Sequence, residues 1–172
     1  TDESVWNEVS FLGTQPYGFD FSLVADWRAH TVSVDRLEKS QILPDIIDLG
    51  SLDLATCSRA PARLSGVMKP RSDVTVYAIA GWFSALLTEK VEIRTGPHDP
   101  ETHWRQAVFP LAVPLEVKSG RELKISICPS RQSEAQATSW RWSVEHDGKE
   151  MVMDNFVHQA WVLRDIDEGE LD

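Results

Sequence analysis

Between two apolar, strand-like runs lies a loop that gathers two His, two carboxylates, two Pro and a Trp: Pro97, His98, Asp99, Pro100, Glu101, Thr102, His103, Trp104, Arg105 and Gln106. An imidazole can donate, accept or carry charge near neutral pH, so a single acidic partner can hold His103 as a positioned imidazolium. Thr102 offers a hydroxyl that can cap the loop or touch a bound backbone, and Trp104 offers a large ring to anchor the loop on the strands beneath it. His98 and His103 are separated by Asp99 and Glu101, a spacing that brings metal ligation to mind. No third ligand of suitable spacing accompanies them, so no metal is assigned. The competing reading is structural: His103 satisfies loop backbone groups while Trp104 packs underneath.

The elements that must position this loop read mainly as strands. Residues 74–87 are rich in β-branched and aromatic side chains on both faces, which predicts a strand buried on two sides with a bend or bulge at Gly81. Residues 107–109 and 115–117 read as short strands interrupted by Pro110 and Pro114, each of which lacks a backbone donor. The turn Lys118, Ser119, Gly120, Arg121 then leads into residues 123–128, whose alternation predicts a hairpin. The clearest hairpin comes last: Trp140, Trp142 and Val144 alternate with Arg141, Ser143 and Glu145, Asp147-Gly148 supplies positive φ angles, and Met151 and Met153 continue the apolar face. Helical signals are few. Residues 34–39 predict a short turn, and Val5, Trp6 and Val9 stand at helical spacing in residues 3–11. Residues 132–139 read as a polar hairpin loop. The expected fold is mainly β, an antiparallel barrel or sandwich with a short helical N-terminal arm.

Composition narrows the function classes. The 172 residues with 42% apolar content suit one domain with a sizeable core. No apolar run approaches the roughly 20 residues of a membrane-spanning helix, and the N-terminus lacks the basic and apolar regions of a secretion signal, so no membrane partner and a cytoplasmic (or, in a eukaryote, nuclear) location are expected. Cys57 and Cys128 are too few for a disulfide framework and are read as reduced core thiols. The 27 acidic and 17 basic residues give a net charge of −10, which repels a nucleic-acid backbone and argues against direct nucleic-acid binding. An acidic surface attracts Arg-rich protein tails, although much of the excess lies in residues 165–172. A chain opening on Thr1 rather than Met suggests an excised piece or a processed product.

Thr102, His103 and Trp104, followed by a basic residue, Gln106 and an apolar strand containing Pro110, resemble the THW loop in the C-terminal β-barrel of the protein arginine methyltransferases. Upstream, Trp6-Asn7-Glu8-Val9 and then Tyr17-Gly18-Phe19-Asp20-Phe21-Ser22 are similar to that family's dimerisation arm, with an extra stretch at residues 10–16 and Phe21 where the family commonly has Met. Residues 45–49 look like the first barrel strand, and Trp82-Phe83 resembles the end of the family's Gly-Phe-x-x-Trp-Phe strand. These landmarks run in the family's order from Ser4 to about His146, while residues 151–172 match nothing in it.

The resemblance implies an organisation of residues 1–30 as arm and lead-in, 31–154 as barrel and 155–172 as acidic tail. It implies part of an S-adenosylmethionine-dependent enzyme that methylates a protein or peptide arginine guanidinium, with the cofactor bound by a domain outside this chain. His103 is then a site-ordering residue at the mouth of the arginine pocket, and Thr102, His103 and Trp104 form the substrate-facing wall. Trp6, Tyr17, Phe19 and Phe21 are the dimerisation residues, since their segment is too short to bury four rings by itself. The implied partners are the methyltransferase domain, the arginine substrate and a second copy in a homodimer. Two family features have no counterpart here: the Gly-x-Gly turn between strand and helix, and the loop whose two Glu residues grip the guanidinium. Glu89 and Glu92 near a strand end read as solvated charges. No nucleophile elbow, zinc-protease helix or phosphate-cradling loop supports a self-contained enzyme of another class. The rival reading is a non-catalytic binding or scaffold barrel, including a carbohydrate-binding sandwich that stacks sugars on some of the seven Trp.

Overall fold

The computed structural model describes residues 1, 3–57, 63–130 and 139–155. The chain divides into two compact units, one of Thr1–Pro44 with Thr75–Glu116 and one of Asp45–Val74 with Val117–Asp172. Each is built around sheet, so the mainly β reading holds.

The first unit opens with a 3-10 turn, Glu3–Trp6, that runs into α1 (Asn7–Gly13). A further 3-10 turn at Pro16–Gly18 leads to α2 (Ser22–Ala29), which packs on α1. The helical N-terminus is therefore present, and α2 is a helix that the sequence reading left out. Its start is marked by Asp20, whose side chain accepts the Ser22 amide at 2.9 Å. The beginning of the segment is tied down: Gln41 donates to the Ser4 hydroxyl at 2.6 Å, and the Thr1 main-chain nitrogen donates to the Ala78 carbonyl at 3.2 Å.

The turn expected over residues 34–39 is instead strand β1 (Ser33–Asp35), and the helical turn lies later, at Lys39–Gln41. A reciprocal cap decides that position, because Glu38 and Gln41 each bond the other's backbone. Of the remaining strands, β2 (Leu64–Met68) falls in the second unit, while β3 (Val74–Gly81), β4 (Ser84–Thr88) and β5 (Val91–Arg94) lie wholly or mainly in the first. The single long strand expected over 74–87 is thus two. β3 sits in a sheet of order β1-β6-β3, whereas β4 leaves it to pair antiparallel with β5 alone and is largely exposed. The break follows Gly81, where the Phe109 ring lies 3.6 Å from the place a Cβ would occupy.

Strand β6 (Gln106–Val117) overturns the expectation of two short strands, since it runs through both prolines. β1 pairs with residues 106–108 of β6, so Pro110 and Pro114 lie beyond that ladder. Leu37, Ala78 and Val108 form the buried centre of this unit, with Ile42 and Ala80 packed against it.

The second unit is a four-stranded sheet, β2-β7-β8-β9, with β7 (Leu123–Ser130), β8 (Ser139–His146) and β9 (Lys149–Asp154), antiparallel throughout. The expected hairpin at Lys118–Arg121 is corrected here: the turn exists, closed by Arg121 N to Lys118 O at 3.0 Å, but it joins β6 to a strand of another sheet. Its own anchors are Asp73, which accepts from the Ser119 amide and the Lys118 ammonium, and the Pro70 carbonyl, which accepts from the Gly120 amide. The β8–β9 hairpin is as expected, with Asp147 and Gly148 at φ 48° and 75°. Trp142 lies opposite Met153 and Val144 opposite Met151, and Trp142 and Met153 are completely buried.

Residues 45–49 form no ladder strand. Ile47 and Leu49 instead set their side chains against β2, 2.9 and 3.0 Å from the place a Cβ on Gly66 would take. Asn155 is buried and its side chain accepts the Trp140 amide at 2.7 Å, which gives one residue of the unmatched C-terminal stretch a role. Of the two thiols read as core, Cys128 is half-buried and Cys57 is exposed, because residues 53–57 form an Asp53-capped surface turn. The polar loop before Ser139 and the acidic tail from Phe156 onward lie outside the described residues.

Candidate functional site

The loop from Thr95 to Gln106 connects β5 to β6 within the first unit. Its base is closed by one side chain. Gln106, 6% exposed, donates from Nε2 to the Thr95 carbonyl at 2.7 Å and accepts the Leu37 amide on Oε1 at 2.9 Å. Both backbone groups stand just past a strand end, Leu37 after Asp35 and Thr95 after Arg94, where no ladder partner remains. An amide side chain supplies the donor and the acceptor together without carrying charge, on two separate atoms that reach both groups at once.

A second set of bonds holds the same end. Thr95 is 1% exposed; its hydroxyl donates to the Phe83 carbonyl at 3.0 Å and accepts the Phe83 amide at 3.1 Å, and its own amide donates to the Phe83 carbonyl at 3.1 Å. This ties the loop to the residue just before β4. Next along, Asp99 accepts the Gly96 amide at 3.2 Å, and its amide donates back to the Gly96 carbonyl at 3.1 Å. The Asp99 carboxylate and the Trp82 indole nitrogen lie 2.8 and 2.9 Å from the position of a Cβ at residue 96, so only Gly fits there. Arg36 pairs with Glu101 at 2.6 Å. Arg36, Glu38, Asp99, Glu101, Thr102 and Arg105 contribute to an open, polar concavity of about 90 Å³ beside the latch.

On this base the predicted site residues are presented outward. Thr102 is half-buried and His103 is exposed. Trp104 is 54% exposed, which corrects the expectation that it packs under the strands; it meets Phe83 edge to face, with centroids 6.1 Å apart and planes at 77°. Arg105 takes a left-handed φ of 54°, the turn that returns the chain to β6. Among the described residues no group of three or more His, Cys, Asp or Glu is placed to hold a metal.

The arm residues lie on the other elements of the same unit. Tyr17 is 91% exposed at φ 58°, Phe19 is 66% exposed, and Trp6 and Phe21 are half-buried. Phe19 and Phe21 stack edge to face at 6.4 Å. Leu23, Val24 and Trp27 on α2 are also exposed, apolar side chains beyond the four rings named from sequence.

The sequence model of the arginine methyltransferase oligomerization subdomain matches residues 2–147. The chain belongs to that family. It is similar to protein arginine N-methyltransferase 1 of Saccharomyces cerevisiae, 30% identical over 112 residues that cover 60% of this chain and 32% of the relative. It is also similar to the arginine N(omega)-methyltransferase of Streptomyces achromogenes subsp. streptozoticus, 28% identical over 123 residues, 70% of this chain and 33% of the relative. Among solved structures, the Trypanosoma brucei PRMT1 enzyme-prozyme heterotetrameric complex with AdoHcy shares the fold, at TM-score 0.69 and 22% identity, over 90% of this chain and 53% of that one. The chain therefore spans about a third of the length of the curated relatives it matches.

Within this oligomerization subdomain, sequence reasoning singled out the loop but missed what holds its base in place. The signal was present. Gln106 stands in phase with Val108 on a strand whose next residues are all apolar, so an amide at that position had to be buried and paired.

Proposed function

We propose that this chain is the substrate-shaping and dimer-forming half of an enzyme that transfers a methyl group from S-adenosylmethionine to the guanidinium of a protein or peptide arginine. The observation that carries the reading is the Thr102-His103-Trp104 loop, latched at its base and exposed at its tip, in a chain of the arginine methyltransferase oligomerization subdomain. The cofactor does not fit the concavity beside that loop: about 90 Å³ is far below the roughly 300 Å³ of the smaller ligand sites, and the lining is charged. It is held by a domain outside this chain, where it supplies the methyl group.

Displacement at a sulfonium methyl depends on alignment and on localising the guanidinium lone pair. The role of this chain is to furnish one wall. His103 pairs with an acidic group of the cofactor domain and orders the arginine pocket, while Trp104 and Phe83 offer that domain an apolar bed. Tyr17, Phe19, Leu23 and Val24 give a second copy its docking surface. A non-catalytic scaffold is the second reading, favoured by the enzyme-prozyme composition of the solved neighbour. A sugar-stacking role would have to rest on the exposed Trp104 and Trp27 rings, since Trp142 shows no face to solvent.

The full-length protein, incubated with methyl-labelled S-adenosylmethionine, decides between the two. Label is expected in an arginine peptide and absent from its lysine counterpart, with free arginine as a third arm. Cofactor binding without transfer to any arginine substrate would overturn the catalytic reading in favour of the scaffold.

A further inference from the structure

We propose that Gln106 is a positioning residue of this site: its carboxamide, by bonding the Leu37 amide and the Thr95 carbonyl at once, fixes where the exposed tip carrying His103 stands. The inference rests on the catalytic reading of the loop. It is carried by three observations that need no family knowledge. Gln106 is buried, it makes both bonds at good length, and the two groups it joins belong to segments 58 residues apart in sequence that otherwise end their ladders there. A loop with an exposed tip and free ends would sample many arrangements, and each bond at its base removes some of them. Gln106 lies three residues from His103 in sequence and needs no contact with substrate. A small misplacement of a catalytic wall is enough to cost about 10–100-fold in rate.

The chemistry of the amide gives a test that a merely structural role would not pass. In Gln106→Met both bonds are lost. In Gln106→Glu a protonated carboxyl reproduces both, accepting from Leu37 and donating its O–H to Thr95, whereas the carboxylate has no proton to donate. Burial raises the carboxyl's pKa, so the protonated form persists toward neutral pH. Measured in the full-length enzyme, kcat of Gln106→Glu should fall as pH rises through that pKa, relative to the parent, and Gln106→Met should be low by about 10–100-fold at every pH. KM for S-adenosylmethionine should stay unchanged in both. The effect should also vanish in a His103→Ala background, since Gln106 acts through the tip.

If Gln106→Met does not fold, the Gln106→Glu profile carries the test alone. A Gln106→Glu profile superimposable on the parent's overturns the proposal, as does a loss that simply adds to that of His103→Ala. Failure of the catalytic reading looks different: His103→Ala itself then leaves kcat unchanged. In that event hydrogen exchange of the 95–106 peptide, compared with the parent at each pH, decides: protection lower than the parent's in Gln106→Glu at high pH alone still supports the latch, and a difference from the parent that does not vary with pH sinks it.

Discussion

Two tryptophans show how differently this chain uses the same side chain. Trp142, in the middle of β8, is completely buried opposite Met153, between strands on either side, and has no surface left for a partner. Trp104, in the loop that enters β6, keeps 54% of its surface exposed and touches Phe83 by an edge. The first is held by a ladder and a core. The second is held by a side-chain latch two residues away, which leaves the ring free to be covered by something else. Stability and presentation are thus separated along the chain: the hairpin builds the core of its own unit, and the loop is held by its own side-chain latch.

The sharpest way to break this contrast is to truncate both rings. Trp142→Ala should cost about 3–5 kcal/mol, a large part of the roughly 5–15 kcal/mol that holds a domain together. Trp104→Ala should cost about 1 kcal/mol, mainly the edge contact with Phe83. Urea unfolding of the two variants is the measurement, and equal losses would mean that the loop ring belongs to the core after all.

His103→Ala probes the other side of the comparison. Placed in the full-length enzyme, it should lower methyl transfer by about 10–1000-fold while the melting temperature stays where it was, since the exposed imidazole supports no described contact of the fold. Activity lost only through unfolding would return the loop to a purely structural role.

The arm extends the contrast to association. Tyr17→Ala together with Phe19→Ala removes two largely exposed rings, so monomer stability should change by no more than about 1 kcal/mol, mainly the edge contact of Phe19 with Phe21. The dimer of the full-length enzyme should weaken by about 10–100-fold in Kd, read by sedimentation. A dimer of undiminished affinity would remove these rings from the interface.

The smallest effect concerns the turn of the buried hairpin. The hydrogen bond from Arg121, with its positive charge, holds the Asp147 carboxyl below its ordinary range. Because the folded value is the lower one, the carboxylate's contribution is present above the unfolded pKa and is lost as pH falls through the folded value. Asp147→Asn keeps a residue suited to φ 48° but cannot ionise. The gap between parent and variant in urea midpoint should therefore narrow as pH is taken from 6 toward about 3. A gap independent of pH would show that the ion pair contributes nothing.

The primary sequence by itself determined the elements whose signals are local. The β8–β9 hairpin was legible because a two-residue turn and a period-two pattern each fix the geometry without reference to the rest of the chain. The loop at Thr102 and the aromatic N-terminal segment were singled out from residue types and order. Tertiary structure decided the rest. Whether residues 74–87 make one strand or two depends on which sheet each half can join, and the Phe109 ring beside Gly81 belongs to a distant segment. The turn at Lys118–Arg121 has hairpin chemistry, yet the partners of β6 and β7 lie elsewhere, because pairing is settled by long-range burial and not by the turn. Gln106 is the clearest case: its sequence position could show that it was buried, but the two backbone groups that need it come from residues 37 and 95, and only the folded chain brings them to one side chain.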